Sequence, residues 1–228
     1  MTEASIGASV MQTIAVVARK GGSGKTTLAV HLAIAGYLRG VRTLLADADP
    51  QRSASEALRG RAQAGPKVIE TTGPKLFALQ EMARRAEHDL LIIDTPCAPE
   101  QDVAQAMSLA DLSLIVVRPT FLDIAAAVRT IDTARRLGRP AQIVINQAYC
   151  ARAGREPASV QKTFEALRFT GMPVCPEVIR SRAIMQTALT AGRSVEEFGP
   201  SRGEQDMAAL WRHVRLQVFA EHPILRRA

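Results

Sequence analysis

The sequence predicts an α/β fold in one domain: a doubly wound, mostly parallel sheet with helices on both faces. Three observations predict it. Short, continuously apolar runs alternate with longer stretches of helical spacing, the pattern of strands buried on both faces and joined by crossover helices. The chain has 228 residues, of which 47% are hydrophobic, enough for one large core. No internal repeat, low-complexity tract or Pro/Gly-rich linker divides it. Aromatics are only 4%, so that core must be built from Ala, Val, Leu and Ile.

Taken in order, residues 1–12 are small, polar and aperiodic and read as a loose tail, although Met11 has the look of an alternative start. The domain is expected over 13–222, with a short basic tail at 223–228. Strands are expected at Ile14–Ala18, Thr43–Ala46, Leu90–Ile93, Leu112–Val117 and Ala141–Ile145, with an edge strand at Val68-Ile69 and a short one near Val174. Helical spacing runs from Leu28 to Arg39 through His31, Leu32, Ala35 and Leu38. Further helices are expected near 53–64, 75–87, 101–109, 123–137, 157–169 and 181–191.

Composition excludes some classes. No apolar run approaches the ~20 residues of a membrane span, and the amino terminus lacks the pattern of a secretory signal. Cys97, Cys150 and Cys175 are scattered and show no C-x-x-C spacing, which predicts reduced thiols in a cytoplasm. The net charge of +7 is lopsided. Residues 1–128 hold 13 basic and 13 acidic groups, whereas 129–228 hold 16 and 9. A basic half suggests a polyanionic partner, nucleic acid or an acidic membrane. Only five of the basic residues are Lys, so an Arg-favouring composition is the competing reading.

The chemistry concentrates at three strand ends. Lys20-Gly21-Gly22-Ser23-Gly24-Lys25-Thr26-Thr27 lies between the first strand and a helix, the context of a phosphate loop. The glycines let successive N–H groups point into one concavity, at the positive end of the following helix. Lys25 should reach the β- and γ-phosphates of ATP, and the Thr26 hydroxyl should ligate Mg²⁺. Asp47 and Asp49, two apart at the end of the second strand, point the same way toward the carboxyl end of the sheet. Asp94 ends the run Leu91-Ile92-Ile93 and delivers one carboxylate to the metal region through a water in the Mg²⁺ shell. An ordinary phosphate loop would place its first glycine at position 19, where this chain has Arg19, with an additional Lys20 beside it.

Lys-Gly-Gly-x-Gly-Lys-Thr-Thr resembles the deviant Walker A motif of the ParA/MinD family of ATPases. The resemblance runs from about Thr13 to the last helix and is closest to the short ParA-type proteins without an amino-terminal helix-turn-helix. It implies that Lys20 reaches across a homodimer interface to ATP held by the partner subunit. The buried negative charge of two facing nucleotides requires such cations. Asp47-Ala48-Asp49-Pro50-Gln51 resembles the first switch, which implies that Asp49 orients or deprotonates the attacking water while Asp47 supports the Mg²⁺ shell. By the same resemblance Asn146 reads the adenine edge, and Pro173–Pro176 supplies backbone to that pocket. The stretch Arg180–Glu197 resembles the family's carboxyl-terminal block.

What the resemblance implies in function is a weak ATPase that hydrolyses ATP to ADP and binds nucleoid DNA without sequence preference. It would place a plasmid, chromosome or protein cargo, with a ParB-like or cargo adaptor that stimulates hydrolysis. Arg180, Arg182, Arg193, Arg202, Arg212 and Arg215 are the candidate phosphate contacts, with Arg226 and Arg227 in the tail. The alternative is a MinD-like membrane ATPase, whose amphipathic helix would be the stretch Met207–Val218. Docking of that stretch on the core explains its spacing more simply. An iron–sulfur reading fails, because a cluster shared between subunits needs two cysteines from each and none precedes Cys97.

Overall fold

The computed structural model describes residues 10–151 and 155–219. The first nine residues and the expected tail with Arg226 and Arg227 lie outside the described residues. The elements run β1 (Gln12–Val17), α1 (Lys25–Leu38), β2 (Thr43–Asp47), α2 (Ser53–Arg59), β3 (Lys67–Glu70), α3 (Leu76–Arg85), β4 (Leu90–Asp94), α4 (Glu100–Leu109), β5 (Leu112–Val117), α5 (Phe121–Leu137), β6 (Ala141–Ile145), α6 (Ala158–Arg168), α7 (Ala183–Thr190) and α8 (Arg202–Val218). Six strands form one sheet in the order β3-β2-β4-β1-β5-β6, and every pairing is parallel.

Strand alternation decides which face each side chain serves. Ile14, Val16, Leu45, Leu90, Ile92, Leu114, Val116 and Val144 face α1, α2, α7 and α8. Ala15, Val17, Leu44, Leu91, Ile93, Ile115, Val117 and Ile145 face α3 to α6. Both faces are covered, so the strands read as continuous apolar runs rather than alternating ones. Each large aliphatic side chain buried this way contributes roughly 1.5–3 kcal/mol.

α1 is the most deeply enclosed helix, with Leu28 through Gly36 buried without interruption between the sheet and α8. A helix apolar all round belongs inside a core. Gly36 allows the close approach: a Cβ there would stand 2.8 Å from Thr43 Oγ1 and 3.1 Å from the Trp211 ring. α8 returns the contact through Met207, Leu210, Trp211 and Val214, all buried. The stretch weighed above as a membrane helix thus spends its apolar face on the core. Among the described residues, no helix is long and apolar enough to cross a membrane.

The boundaries differ from the sequence reading in several places. Met11 is buried in the core and Gln12 opens β1, so the fold takes up the last two residues assigned to the tail. The helix expected over 53–64 stops at Arg59, before Gly60. Val174 makes only an isolated bridge to Ile143, because Pro173 and Pro176 on either side have no N–H to extend a ladder.

Candidate nucleotide site

The order of the strands reverses direction at β1: the chain leaves it for β2 on one side and returns through β4 to β5 on the other. Ligands in open α/β sheets bind in the crevice at the carboxyl ends of the strands beside such a switch. The phosphate loop occupies that place, between β1 and α1. Gly22 and Gly24 have φ of 73° and 90°, left-handed values that favour glycine. A Cβ on Gly24 would also fall 2.3 Å from the Asn146 Nδ2. Gly24 caps α1 without a side chain, and Lys25, Thr26 and Thr27 form its first turn. That turn has no acidic residue, so the positive end of the helix stays available to an anion. Ser23 and Lys25 are buried, while Gly21 and Gly22 are exposed.

The carboxylates expected from two sequence segments converge here beside the phosphate loop. Asp47 and Asp94 are direct neighbours in the register of β2 and β4. Their environments are opposite. Asp47 Oδ2 accepts from the Ser55 N–H at 2.9 Å and the Ser55 hydroxyl at 2.8 Å, and its Oδ1 accepts from the Asp49 N–H at 3.3 Å. Asp47 therefore ties the first switch to α2. Its carboxylate is engaged by three donors of the protein, so any support it gives the Mg²⁺ shell is shared with holding the switch. Asp49 stands half-buried, with Oδ1 accepting from the Gln51 N–H at 2.9 Å.

Asp94 is fully buried, and neither oxygen has a hydrogen-bond partner. Burial pushes its carboxyl up to about 7. The Thr26 hydroxyl and the Lys25 ammonium pull it down, while Asp47 and Asp49 push it further up. Thr26 thus acts on Asp94 without making a full hydrogen bond to it. A buried, unpartnered carboxylate beside a hydroxyl is a costly arrangement without a cation. Hard oxygen donors of this kind fit Mg²⁺ held through its waters.

Other predicted residues serve the loop itself. Asn146 donates from Nδ2 to the Ser23 carbonyl at 2.7 Å, so its amide donor braces the phosphate loop. This adds a role to the one expected for Asn146. Gln147 repeats the device at φ 54°, donating to the Gly22 carbonyl at 3.0 Å, and sequence reasoning missed it. Pro176 is exposed beside Cys175, whose N–H donates to the Ile143 carbonyl at 2.7 Å along the edge of β6.

The two cations at the start of the loop are both engaged within the chain. Arg19 pairs with Glu100 at 2.8 Å, at the start of α4. Lys20 Nζ lies 2.8 Å from Asp123 Oδ2. Arg118 and Thr120 donate to the same Asp123 carboxylate. Burial opposes ionisation there, yet Arg118, Lys20 and Thr120 outweigh it and hold the carboxyl down at about 2. Asp123 and Arg118 are further residues the sequence reading missed. The spacing Thr120-x-x-Asp123 at the start of α5 is a helix-capping signal that marks the segment, though not its link to Lys20.

The arginines singled out for DNA divide into two groups. Arg180 is bound to Glu156 at 2.7 Å, Arg182 to Asp206 at 2.9 Å, and Arg193 stacks 4.2 Å over the Phe198 ring while donating to the Glu197 carbonyl. These three are engaged within the chain's own carboxyl-terminal fold and are half-buried. Arg202 and Arg212 are exposed, and Arg215 is half-buried. Arg129, Arg136, Arg139 and Arg168 are exposed as well, on or just after α5 and α6, and were not among the candidates.

The fold and these groups define a P-loop nucleotide-binding protein. The family profile for the CobQ/CobB/MinD/ParA nucleotide binding domain matches residues 14–195, and the chain belongs to that family. It is 33% identical over 189 residues to maintenance of carboxysome distribution protein A of Gloeobacter kilaueensis, a match covering 82% of this chain and 85% of that one. The protein of the same name from Halothiobacillus neapolitanus is 34% identical over 206 residues, covering 82% and 88%. In fold, the ATP complex of a McdA variant from Cyanothece superposes with a TM-score of 0.73 at 16% identity, covering 90% of this chain and 96% of that one.

Proposed function

We propose that this protein is a ParA-type positioning ATPase that closes into a homodimer around two ATP molecules and binds DNA without sequence preference. The observation that carries the reading is the second lysine: Lys20 stands at the start of a loop that already carries a lysine, Lys25, at the first turn of α1. In this reading the loop N–H groups and Lys25 hold the β- and γ-phosphates. Thr26 and Asp94 hold Mg²⁺, which would neutralise phosphate charge. Asp49 orients the attacking water, and Asp47 keeps that switch in place. Lys20 from one subunit contacts the nucleotide of the other. Asn146 and Pro176 border the adenine.

The surfaces follow from charge. Arg202 and Arg212 are the candidates with exposed side chains, and Arg129, Arg139 and Arg168 extend the positive surface. The cycle needs a ParB-like or cargo adaptor to stimulate slow hydrolysis, and its setting is the cytoplasmic nucleoid. Two relatives named for carboxysome distribution favour a protein assembly over a plasmid or chromosome as cargo. A membrane-bound MinD-like cycle is disfavoured by the burial of the apolar face of α8.

DNA retention measured with ATP, with ADP and without nucleotide, across a salt series, tests the proposal. Binding should require ATP and weaken steeply with salt, as phosphate contacts do. Flotation with liposomes in ATP but no DNA retention would replace it with the membrane reading.

A further inference from the structure

β1 and β5 are neighbours, paired from Ile14 with Leu112 to Val17 with Ile115. The segments that leave their carboxyl ends therefore meet in the same crevice. One carries Lys20, and the other carries Arg118, Thr120 and Asp123. Asp123 Oδ2 accepts from Lys20 Nζ at 2.8 Å, Thr120 Oγ1 at 2.7 Å and Arg118 Nη2 at 3.1 Å, while Oδ1 accepts from Arg118 Nε at 2.8 Å. The side chain of Asp123 is 2% exposed, that of Lys20 35%.

The three donors are not equivalent. Arg118 holds both carboxylate oxygens through a fixed fork from the same connection, and Thr120 is the cap of that turn. Lys20 contributes one contact from a flexible stem, from a segment 103 residues away. If it leaves, Arg118 and Thr120 still satisfy Asp123. A cavity of about 10 Å³ bordering Lys20 and Asp123 has room for about one water to take the vacated place. The carboxylate also presents to Lys20 what a phosphate would: an anionic oxygen at hydrogen-bond distance.

We propose that Asp123 is a positioning residue for Lys20, holding it against its own subunit until an ATP-bearing second subunit offers a phosphate in exchange. This rests on the reading of Lys20 as the contact made across the dimer. Asp123 then sets the threshold for dimerisation: the bridge must open before the interface can close. Arg118 weakens the bridge by competing for the same oxygens, so the two residues act on Lys20 in opposite directions.

Sedimentation velocity of the full chain with a saturating non-hydrolysable ATP analogue reads the threshold directly. Asp123→Asn should lower the dimer dissociation constant about tenfold, the effect of removing one competing charge-assisted contact. Introduced together with Lys20→Gln, it should bring no gain, because the residue it frees is gone. A folded Asp123→Asn that dimerises no better than the parent overturns the proposal, as does a gain that persists without Lys20. If Asp123→Asn does not fold, Arg118→Gln decides. It leaves Lys20 as the only cation on Asp123 and should raise the dissociation constant about tenfold. An unchanged or lower constant overturns the proposal. Failure of the underlying reading looks different: Lys20→Gln alone would dimerise as well as the parent.

Discussion

At the tip of β4, Asp94 is sealed from solvent with neither oxygen partnered, while in the carboxyl-terminal region Arg180 and Arg182 each rest on a carboxylate of their own chain. The first region buries a carboxyl whose ionisation the fold alone disfavours. The second neutralises the charges that stand out most in its sequence. An unpaired buried carboxylate points to a ligand, because Thr26 and Lys25 offset only part of its desolvation. A paired arginine points to architecture. The comparison teaches that a charge count locates a functional region only after its internal partners are subtracted.

The largest expected effect tests the first region. Asp94→Asn should lower Mg²⁺-dependent nucleotide affinity about 100-fold, the scale of losing a metal-site group. At pH 8 without metal it should leave the protein as stable or more stable, since a desolvated charge is removed. Titration with a fluorescent ATP analogue, with and without Mg²⁺, and urea unfolding check the two halves. A variant destabilised without metal would break the comparison at its stronger end.

Gly24→Ala should follow in size. Its φ of 90° strains any side chain, and the new Cβ would meet Asn146 Nδ2. The cost should be of order 1–3 kcal/mol in thermal unfolding, with nucleotide affinity falling in parallel. Affinity retained at full stability would mean that the loop relaxes without Asn146.

The second region is tested by contrast within it. Arg180→Ala should cost about 2 kcal/mol of stability by stranding Glu156 and leave the salt dependence of DNA binding unchanged. Arg202→Ala and Arg212→Ala should cost under about 0.5 kcal/mol each. Each that contacts a phosphate should reduce the slope of log affinity against log salt by about 0.9. If Arg180→Ala lowers that slope instead, the paired arginines also face the nucleic acid.

The same contrast explains what was legible in the sequence. The strands were legible because burial on both faces makes them continuously apolar, and even the short edge strand at Val68-Ile69 is present. The phosphate loop was legible because its glycines and Lys25 answer local needs of backbone and phosphate. What stayed hidden depends on pairings across distance. Asp47 looks like Asp94 in sequence, and only the fold of α2 brings Ser55 onto it. Lys20 and Asp123 are joined by the adjacency of β1 and β5, which no local pattern encodes. The strand near Val174 failed for a local reason: two flanking prolines cannot donate to a ladder.

The smallest effect is the pH dependence of stability, small because two buried groups oppose each other. His31 is buried in α1, with Nδ1–H donating to the Thr27 carbonyl at 2.8 Å and Nε2 unpartnered. Burial pushes its pKa down to about 4, against the raising influence of the Thr27 contact and of Glu197. Between pH 4 and 6.5 the unfolded chain therefore holds a proton that the folded chain does not, and His31 makes stability rise with pH. Asp94, with burial raising its carboxyl to about 7, does the reverse. The folded chain keeps a proton that the unfolded chain has lost, so stability falls as pH climbs from about 4 to 7. Across the window they share, pH 4 to 6.5, each contributes about 3 kcal/mol with opposite sign, which leaves the metal-free protein nearly flat there. Urea unfolding without Mg²⁺ or nucleotide should show that flat profile. Asp94→Asn should unmask a rise of about 3 kcal/mol from pH 4 to 6.5. A parent profile that already rises by that amount would mean that Asp94 is ionised and compensated without metal, removing the contrast with Arg180.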